Sequence, residues 1–243
     1  MSELKKYSIE EFKKYINSLH LSRSIRLIQL HHTYSPGYKQ FNGSNHTQLQ
    51  TGMRNYHIKT NGWSDIGQHF TIFPDGVIMT GRSMEKTPAG IKGANTGAIC
   101  IECVGNFDRD GDKMTAEQKN AIVSAVKILL ERFNLKAADA ITYHCWWASN
   151  GTKIGDYSKT KSSKTCPGEN FFGGNSKAAF EMNLLPLLEE SKKINKQDEI
   201  NGIINILASS CVLSDCNLWR KKCSEDVNVY WLCKKMARYI EDR

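Results

Sequence analysis

The residues best suited to chemistry lie around a short run, Ser163-Lys164-Thr165-Cys166-Pro167-Gly168, with His144 upstream of it and His31 far upstream. Two imidazoles and one thiolate form a donor set for catalytic zinc, which takes three protein ligands and keeps its fourth tetrahedral position for water. These donors suit zinc better than magnesium or calcium. Lys164, two residues before the cysteine, sets a cation beside such a metal, where an oxyanion would form. The pattern points to metal-assisted hydrolysis. Because the donors are far apart in sequence, a shared site requires the fold to bring strand ends together. Of the adjacent His31 and His32, only one can face the metal, since neighbouring strand residues point to opposite sides. His46, His57 and His69 are expected to be surface or hydrogen-bonded residues.

The elements that must position these groups can be read from periodicity. Ser8-Ile9-Glu10-Glu11 is a capping box, followed by Ile9, Phe12, Ile16 and Leu19 on one helical face. Residues 25–30 read as a buried strand delivering His31 and His32. After a Ser/Pro/Gly/Asn-rich loop, a helix is expected over 47–60, with Leu49, Met53, Tyr56 and Ile58 inside. Residues 68–73, Pro74-Asp75-Gly76 and 77–80 form a hairpin signal. Residues 98–104 read as a strand, on which Cys100 and Cys103 face opposite sides, against CxxC chemistry. Thr115-Ala116-Glu117-Gln118 is a second capping box, opening a helix with Ile122, Val126, Leu129, Leu130 and Phe133 inside. A short strand, 140–143, presents His144, and a last helix lies near 176–190. Interleaved strands and helices around one hairpin predict an α/β fold with a mixed sheet flanked by helices.

The expected division is a catalytic domain over 1–191, a charged linker over 192–198 and a small all-helical C-terminal module over 199–243. Ile200, Ile203, Ile204 and Leu207 make one helical stripe in that module, and Val229, Leu232, Cys233, Met236 and Ile240 a second. About 45 residues are too few for a large core, so the module is expected to pack on the first domain or to pair two chains into a homodimer.

The chain has 243 residues, with 24% charged and 40% hydrophobic, and a net charge of +8. This charge favours anionic polymers, but no RNP motif, paired zinc finger or heptad-linked basic region accompanies it, so nucleic acid is not the expected partner. No stretch approaches the roughly 20 apolar residues of a membrane span, and membrane insertion is not expected. The first residues have no apolar signal-peptide core. The expectation is synthesis in the cytoplasm and work elsewhere only after another route of release. The eight cysteines then read as mostly reduced thiols, those of the tail as helical core residues.

Leu30-His31-His32-Thr33, Trp63-Ser-Asp-Ile-Gly-Gln-His-Phe70, Pro74-Asp75-Gly76, Gly97-Ala-Ile-Cys-Ile-Glu-Cys-Val-Gly105, Tyr143-His144 and Lys164-Thr165-Cys166-Pro167-Gly168 occur together and in that order. In this the chain resembles the type 2 N-acetylmuramoyl-L-alanine amidases, a zinc family that includes amidase-type phage lysozymes and the peptidoglycan recognition proteins. The resemblance covers roughly residues 23–190. It implies a mixed sheet with helices on its faces and cleavage of the amide between the lactyl group of muramic acid and the first L-alanine of the peptide stem. It further implies His31, His144 and Cys166 as zinc ligands, Lys164 as the cation stabilising the oxyanion and Glu102 as general base. A carboxylate on an apolar strand is costly to bury without purpose or partner; a structural ion pair is the competing role for Glu102. Some relatives carry a catalytic tyrosine where this chain has Gln68, and glutamine cannot exchange protons in that way.

Trp63, Trp146 and Trp147 are candidates to line a substrate groove, and Arg82, Asn95 and Thr96 to hold the peptide stem. Peptidoglycan is the implied partner, and an endolysin or autolysin acting at the cell wall, released by holin-type lysis or non-classical secretion, the implied role; the 199–243 module is then expected to bind cell wall, pair two chains or brace the catalytic domain. A wall-binding module without catalysis and a cytoplasmic amidase for soluble muropeptides are the rival readings. Retention of His31, His144 and Cys166 favours an enzyme.

Overall fold

A computed structural model of the chain describes residues 2–189, 196–209, 216–225, 233 and 236. The chain divides into two units, Met1–Glu189 and Glu190–Arg243.

In the first unit a two-residue strand β1 (Lys6–Tyr7) leads into α1 (Ile9–Ser18), which opens on the Ser8/Glu11 capping box and buries Phe12 and Ile16. Then come β2 (Leu27–His32), α2 (His46–Lys59), β3 (Phe70–Ile72), β4 (Ile78–Thr80) and β5 (Ala98–Cys103). Next are α3 (Ala116–Arg132), a one-turn α4 (Ala137–Ala140) and β6 (Ile141–Tyr143). The unit ends in consecutive helical segments, α5 (Lys177–Ala179), a π-helical turn Phe180–Leu184 and α6 (Leu185–Glu189). The six strands form one mixed sheet in the order β1-β4-β3-β5-β2-β6. β3 pairs antiparallel with β4, whereas β5, β2 and β6 run parallel with their neighbours, β5 also with β3.

The register explains the two faces of this sheet. Residues paired across parallel strands share a face, and successive residues alternate. Ile28, Leu30, Ile99, Ile101, Cys103, Ile141 and Tyr143 lie on the face that packs on Phe12 and Ile16 of α1 and on Ile122, Val126 and Leu129 of α3. Phe180, Leu184 and Leu188 of the final helical run join the same core. Each fully buried side chain of this kind contributes about 1.5–3 kcal/mol of transfer free energy. The opposite face carries Gln29, His31, Cys100 and Glu102 and is polar. Cys100 and Cys103 thus point to opposite sides of β5.

Three local readings differ from the structure. In α2 the buried residues are His46, Gln50, Met53 and Arg54, while Tyr56 is 59% exposed. The inner stripe is polar because it binds the end of β4 and a loop: Gln50 Nε2 donates to Thr80 O, and Arg54 pairs with Asp65 at 2.8 Å. Apolar periodicity cannot find such a stripe. At α3, Thr115 Oγ1 accepts from Gln118 N (3.1 Å), but Gln118 does not return the bond. Its Nε2 donates to Ile72 O and Val104 O and its Oε1 accepts from Tyr38 Oη, tying the helix to β3 and the end of β5. The strand pair β1–β4 is the third difference: β1 is two residues long and carries no apolar signal that would mark it as a strand.

In the second unit α7 (Lys196–Ser209) begins within the stretch read as linker; residues 192–195 lie outside the described residues. Ile200, Ile203, Ile204 and Leu207 are buried together with Cys223 of α8 (Cys216–Glu225) and with Cys233. Of the second stripe, Met236 is 37% exposed, and Val229, Leu232 and Ile240 lie outside the described residues.

Candidate metal centre and cleft

Parallel register places His31 of β2 beside Glu102 of β5, and Leu30 beside Tyr143, so that His144 comes directly after at the same end of the sheet. His144 opens a short 3-10 turn, His144–Trp146. The loop carrying Cys166 is stitched to that turn: Cys145 N donates to Cys166 O (2.9 Å), and Asn175 bridges Trp146 Nε1 and Thr165 O (2.8 Å each). Gly168, at φ +101°, lets this loop lie against the Phe107 backbone, where a Cβ would collide. The site therefore forms where the parallel strands β2, β5 and β6 end, the usual location of sites in α/β sheets.

Ligand atoms of His31, His144 and Cys166 lie within 4.8 Å of one another. Cys166 Sγ is 3.5 Å from His31 Nδ1, and the two imidazole rings meet edge to face at 5.1 Å. Usual bond lengths to a tetrahedral zinc set its donors about 3.3–3.8 Å apart, so the sulfur–nitrogen spacing fits such an ion. Protonation fits as well. Burial, then the neighbouring His144 and Lys164, holds His31 well below its ordinary pKa. Burial, then Lys164, lowers His144 to about 4. Both rings are neutral at pH 7 and offer lone pairs. Burial, then Glu102, raises the Cys166 thiol; a bound cation would favour the thiolate instead.

Gln29 completes this arrangement. It is fully buried, and its Nε2 donates to Ala94 O (2.9 Å) and Asn95 Oδ1 (3.4 Å). Its Oε1 is left facing His31 Nε2 at 3.4 Å. A proton on that nitrogen leaves the lone pair on Nδ1, the atom turned toward Cys166. Sequence reasoning missed Gln29, although a glutamine inside an apolar strand, two residues before a candidate ligand, is the kind of signal that finds it.

Glu102 faces the same space. Its Oε2 is closed off from solvent, has no hydrogen-bond partner, and makes no ion pair among the described residues. Burial pushes its carboxyl up to about 8, with the Lys164 cation pulling the other way. An orphaned carboxyl oxygen beside two neutral imidazoles and a thiol suits a site that would take a cation and a proton transfer. Gln68 is buried, donating to Thr71 Oγ1 (3.0 Å) with its own Oε1 unpartnered.

These groups line a cleft of about 1170 Å³, with His31, His32, Glu102, His144, Lys164 and Cys166 on one part and Gln68, Trp63, Tyr56, Met53 and Tyr34 on others. His32 points away from the triad, its Nδ1 accepting from Phe107 N (3.1 Å). Five candidates are not brought to the cleft. Trp146 is 2% exposed, packed at a tilt against the Tyr143 ring and bonded to Asn175: it frames the Cys166 loop. The Arg82 guanidinium is spent on Ile66 O, Thr87 O and Asp65 O. Asn95 Oδ1 accepts from Gly90 N and Ile91 N, shaping a turn, and Thr96 is exposed away from the lining residues. Trp147 Nε1 is bonded to Thr142 Oγ1 (2.8 Å), and Trp147 is likewise no part of the lining. His46, His57 and His69 are all hydrogen-bonded.

A mixed sheet with one polar face, and two histidines and a cysteine gathered at the carboxyl ends of its parallel strands, defines the class of site. The chain belongs to the N-acetylmuramoyl-L-alanine amidase family, whose profile matches residues 21–169. The expected family, mixed-sheet fold and amidase class are thereby met. The endolysin of Klebsiella phage KP32 is 27% identical over 119 residues, covering 43% of this chain and 78% of the phage protein. An N-acetylmuramoyl-L-alanine amidase of Homo sapiens is 30% identical over 87 residues, 36% of this chain and 15% of the human one. Among solved structures, wild-type Drosophila PGRP-LB superposes with a TM-score of 0.52 at 19% identity, over 73% of this chain and 88% of that one, a likeness of fold. No helix among the described residues is long and apolar enough to cross a membrane.

Proposed function

We propose that the protein hydrolyses, with zinc, the amide joining the lactyl group of N-acetylmuramic acid to the first L-alanine of the peptide stem in bacterial peptidoglycan, and so opens the cell wall. The observation that carries this reading is the triad of His31, His144 and Cys166, gathered beside an unpartnered Glu102 oxygen in an open cleft. His31, His144 and Cys166 would hold the ion. When bound there, zinc supplies a Lewis acid for the amide carbonyl and lowers the pKa of water.

The chain's own residues account for the remaining work. Glu102, whose carboxylate form a bound cation would favour as it does the Cys166 thiolate, accepts the proton of the attacking water and passes it to the leaving nitrogen, the role its buried, otherwise unused oxygen suits. Lys164, exposed at the cleft, sets its ammonium toward the oxygen on which negative charge grows. Gln68 Oε1 is an acceptor for a water or substrate N–H, a positioning role and not a proton transfer. Gln29 holds the His31 tautomer. The products are a free lactyl carboxylate and a stem with a new alanine amino terminus.

Digestion of purified peptidoglycan by the zinc-loaded protein tests this. New alanine amino termini are expected without new reducing sugar ends, lost on chelation and in Cys166→Ala. Release of neither, from walls or from soluble muropeptides, would leave a wall-binding module; release from muropeptides alone would move the substrate to soluble fragments.

A further inference from the structure

Tyr34 combines three unusual properties. Its backbone sits at φ +60°, a region that costs a bulky side chain about 1–3 kcal/mol. Its ring is 61% exposed, and it lines the cleft. Nothing in the packing of the core asks for a tyrosine there. The conformation is imposed by the sheet's own ladder running on past β2, with Thr33 N donating to Cys103 O and Tyr34 N to Gly105 O (3.0 Å each). Tyr56, on α2, is the other aromatic ring left largely bare among the described residues, and it lines the same cleft. A residue kept strained and uncovered at a cleft rim is kept for what it touches.

The charges of the cleft point to the ligand those rings would touch. Its formally charged lining residues, Glu102, Asp108 and Lys164, come from β5, the stretch just beyond it and the Cys166 loop. The wall formed by α2, its following turn and the Tyr34 loop contributes neutral groups instead: Tyr34, Ser35, Gln48, Tyr56, Asn61 and Trp63. Bare aromatic faces with amides and hydroxyls between them match a neutral pyranose bearing acetamido and hydroxyl groups. An acidic peptide stem would find no cation on that wall.

We propose that Tyr34 and Tyr56 are saccharide-binding residues, holding the amino-sugar rings of the glycan strand against the uncharged wall while the stem lies toward the charged side. This rests on the amidase reading for its substrate but not for its test. The zinc-loaded full chain is titrated with peptide-free glycan strands of alternating N-acetylglucosamine and N-acetylmuramic acid, which contain no scissile amide but bear free lactyl carboxylates, with uncharged N-acetylglucosamine oligomers to separate ring contact from charge, and separately with a free stem peptide.

Wild type is expected to bind the glycan, with Tyr34→Ala and Tyr56→Ala each weakening it about three- to tenfold. Tyr34→Phe and Tyr34→Trp should keep the affinity, and stem-peptide affinity should stay unchanged throughout. Tyr34→Gly suits the positive φ, so it should unfold at or above the wild-type midpoint while still losing glycan affinity. No wild-type binding to the glycan overturns the proposal, as does unchanged glycan affinity in the alanine variants, or a loss confined to the stem peptide. Failure to release alanine termini from walls would defeat the amidase reading and leave this measurement standing.

Discussion

At the scale of single residues, several polar side chains are buried with every bonding position committed, and in His69 that commitment makes stability depend on pH. Its Nδ1 accepts from Cys100 N (3.0 Å) and its Nε2 donates to Lys86 O (2.9 Å), so the ring is fixed as one neutral tautomer. Burial, the largest cause, lowers its pKa to about 3. The unfolded chain takes up a proton near pH 6.5 that the native ring refuses. The stability His69 contributes is therefore complete above about 6.5 and is lost as pH falls from there toward 3, at no more than about 1.4 kcal/mol per pH unit. Its ring proton resonances should stay constant between pH 8 and 4.5 in the folded protein; a titration near 6.5 would show the ring to be open to solvent. The sequence leads only to a hydrogen-bonded histidine here, because both partners are backbone groups of segments that meet only once the sheet has formed. Gln29 escapes a sequence reading for the same reason: its partners, Ala94 and Asn95, lie on a loop remote in sequence.

At the scale of elements, α2 forms the uncharged wall of the cleft and is held by polar contacts instead of an apolar stripe. The Arg54–Asp65 pair, with both side chains nearly buried, fastens it to the loop before β3. Removing one partner strands the other charge, so Asp65→Ala should cost about 3–5 kcal/mol in urea unfolding. The double variant Arg54→Met with Asp65→Leu should recover most of that loss. Equal stability of Asp65→Ala and wild type would mean that the pair does not hold the helix. Elements with one apolar face were legible: the Ser8 capping box, α3 with Ile122, Val126 and Leu129, and the hairpin turning at Gly76 all stand where the sequence puts them. The two histidines and the cysteine stood out by residue type, and the register of β2 with β5 and β6 brings their side chains together. The inner face of α2 and the loop-framing role of Trp146 were not legible, since each is decided by hydrogen bonds between distant segments and leaves no periodicity behind.

At the scale of the whole molecule, the net charge of +8 acts beyond any one site. A bacterial wall is an anionic polymer surface, and a cationic protein accumulates on it through a field that salt shortens from about 30 Å at 0.01 M to about 10 Å at 0.1 M. The proposed reaction would take place among groups that bulk salt reaches poorly: the triad is largely buried and Glu102 Oε2 is closed off from solvent. Capture and chemistry should therefore separate. Alanine release from intact sacculi is expected to slow several-fold between about 0.01 and 0.1 M salt and further by 1 M, while turnover of a soluble, uncharged-glycan muropeptide changes little. The comparison is made with the same zinc-loaded protein on both substrates, across one salt series. Parallel decline on the two would place the sensitive charge inside the cleft, at Lys164. A rate on sacculi indifferent to salt would mean that the protein reaches the wall through specific contacts, of which the rings of Tyr34 and Tyr56 are the exposed candidates in the first unit.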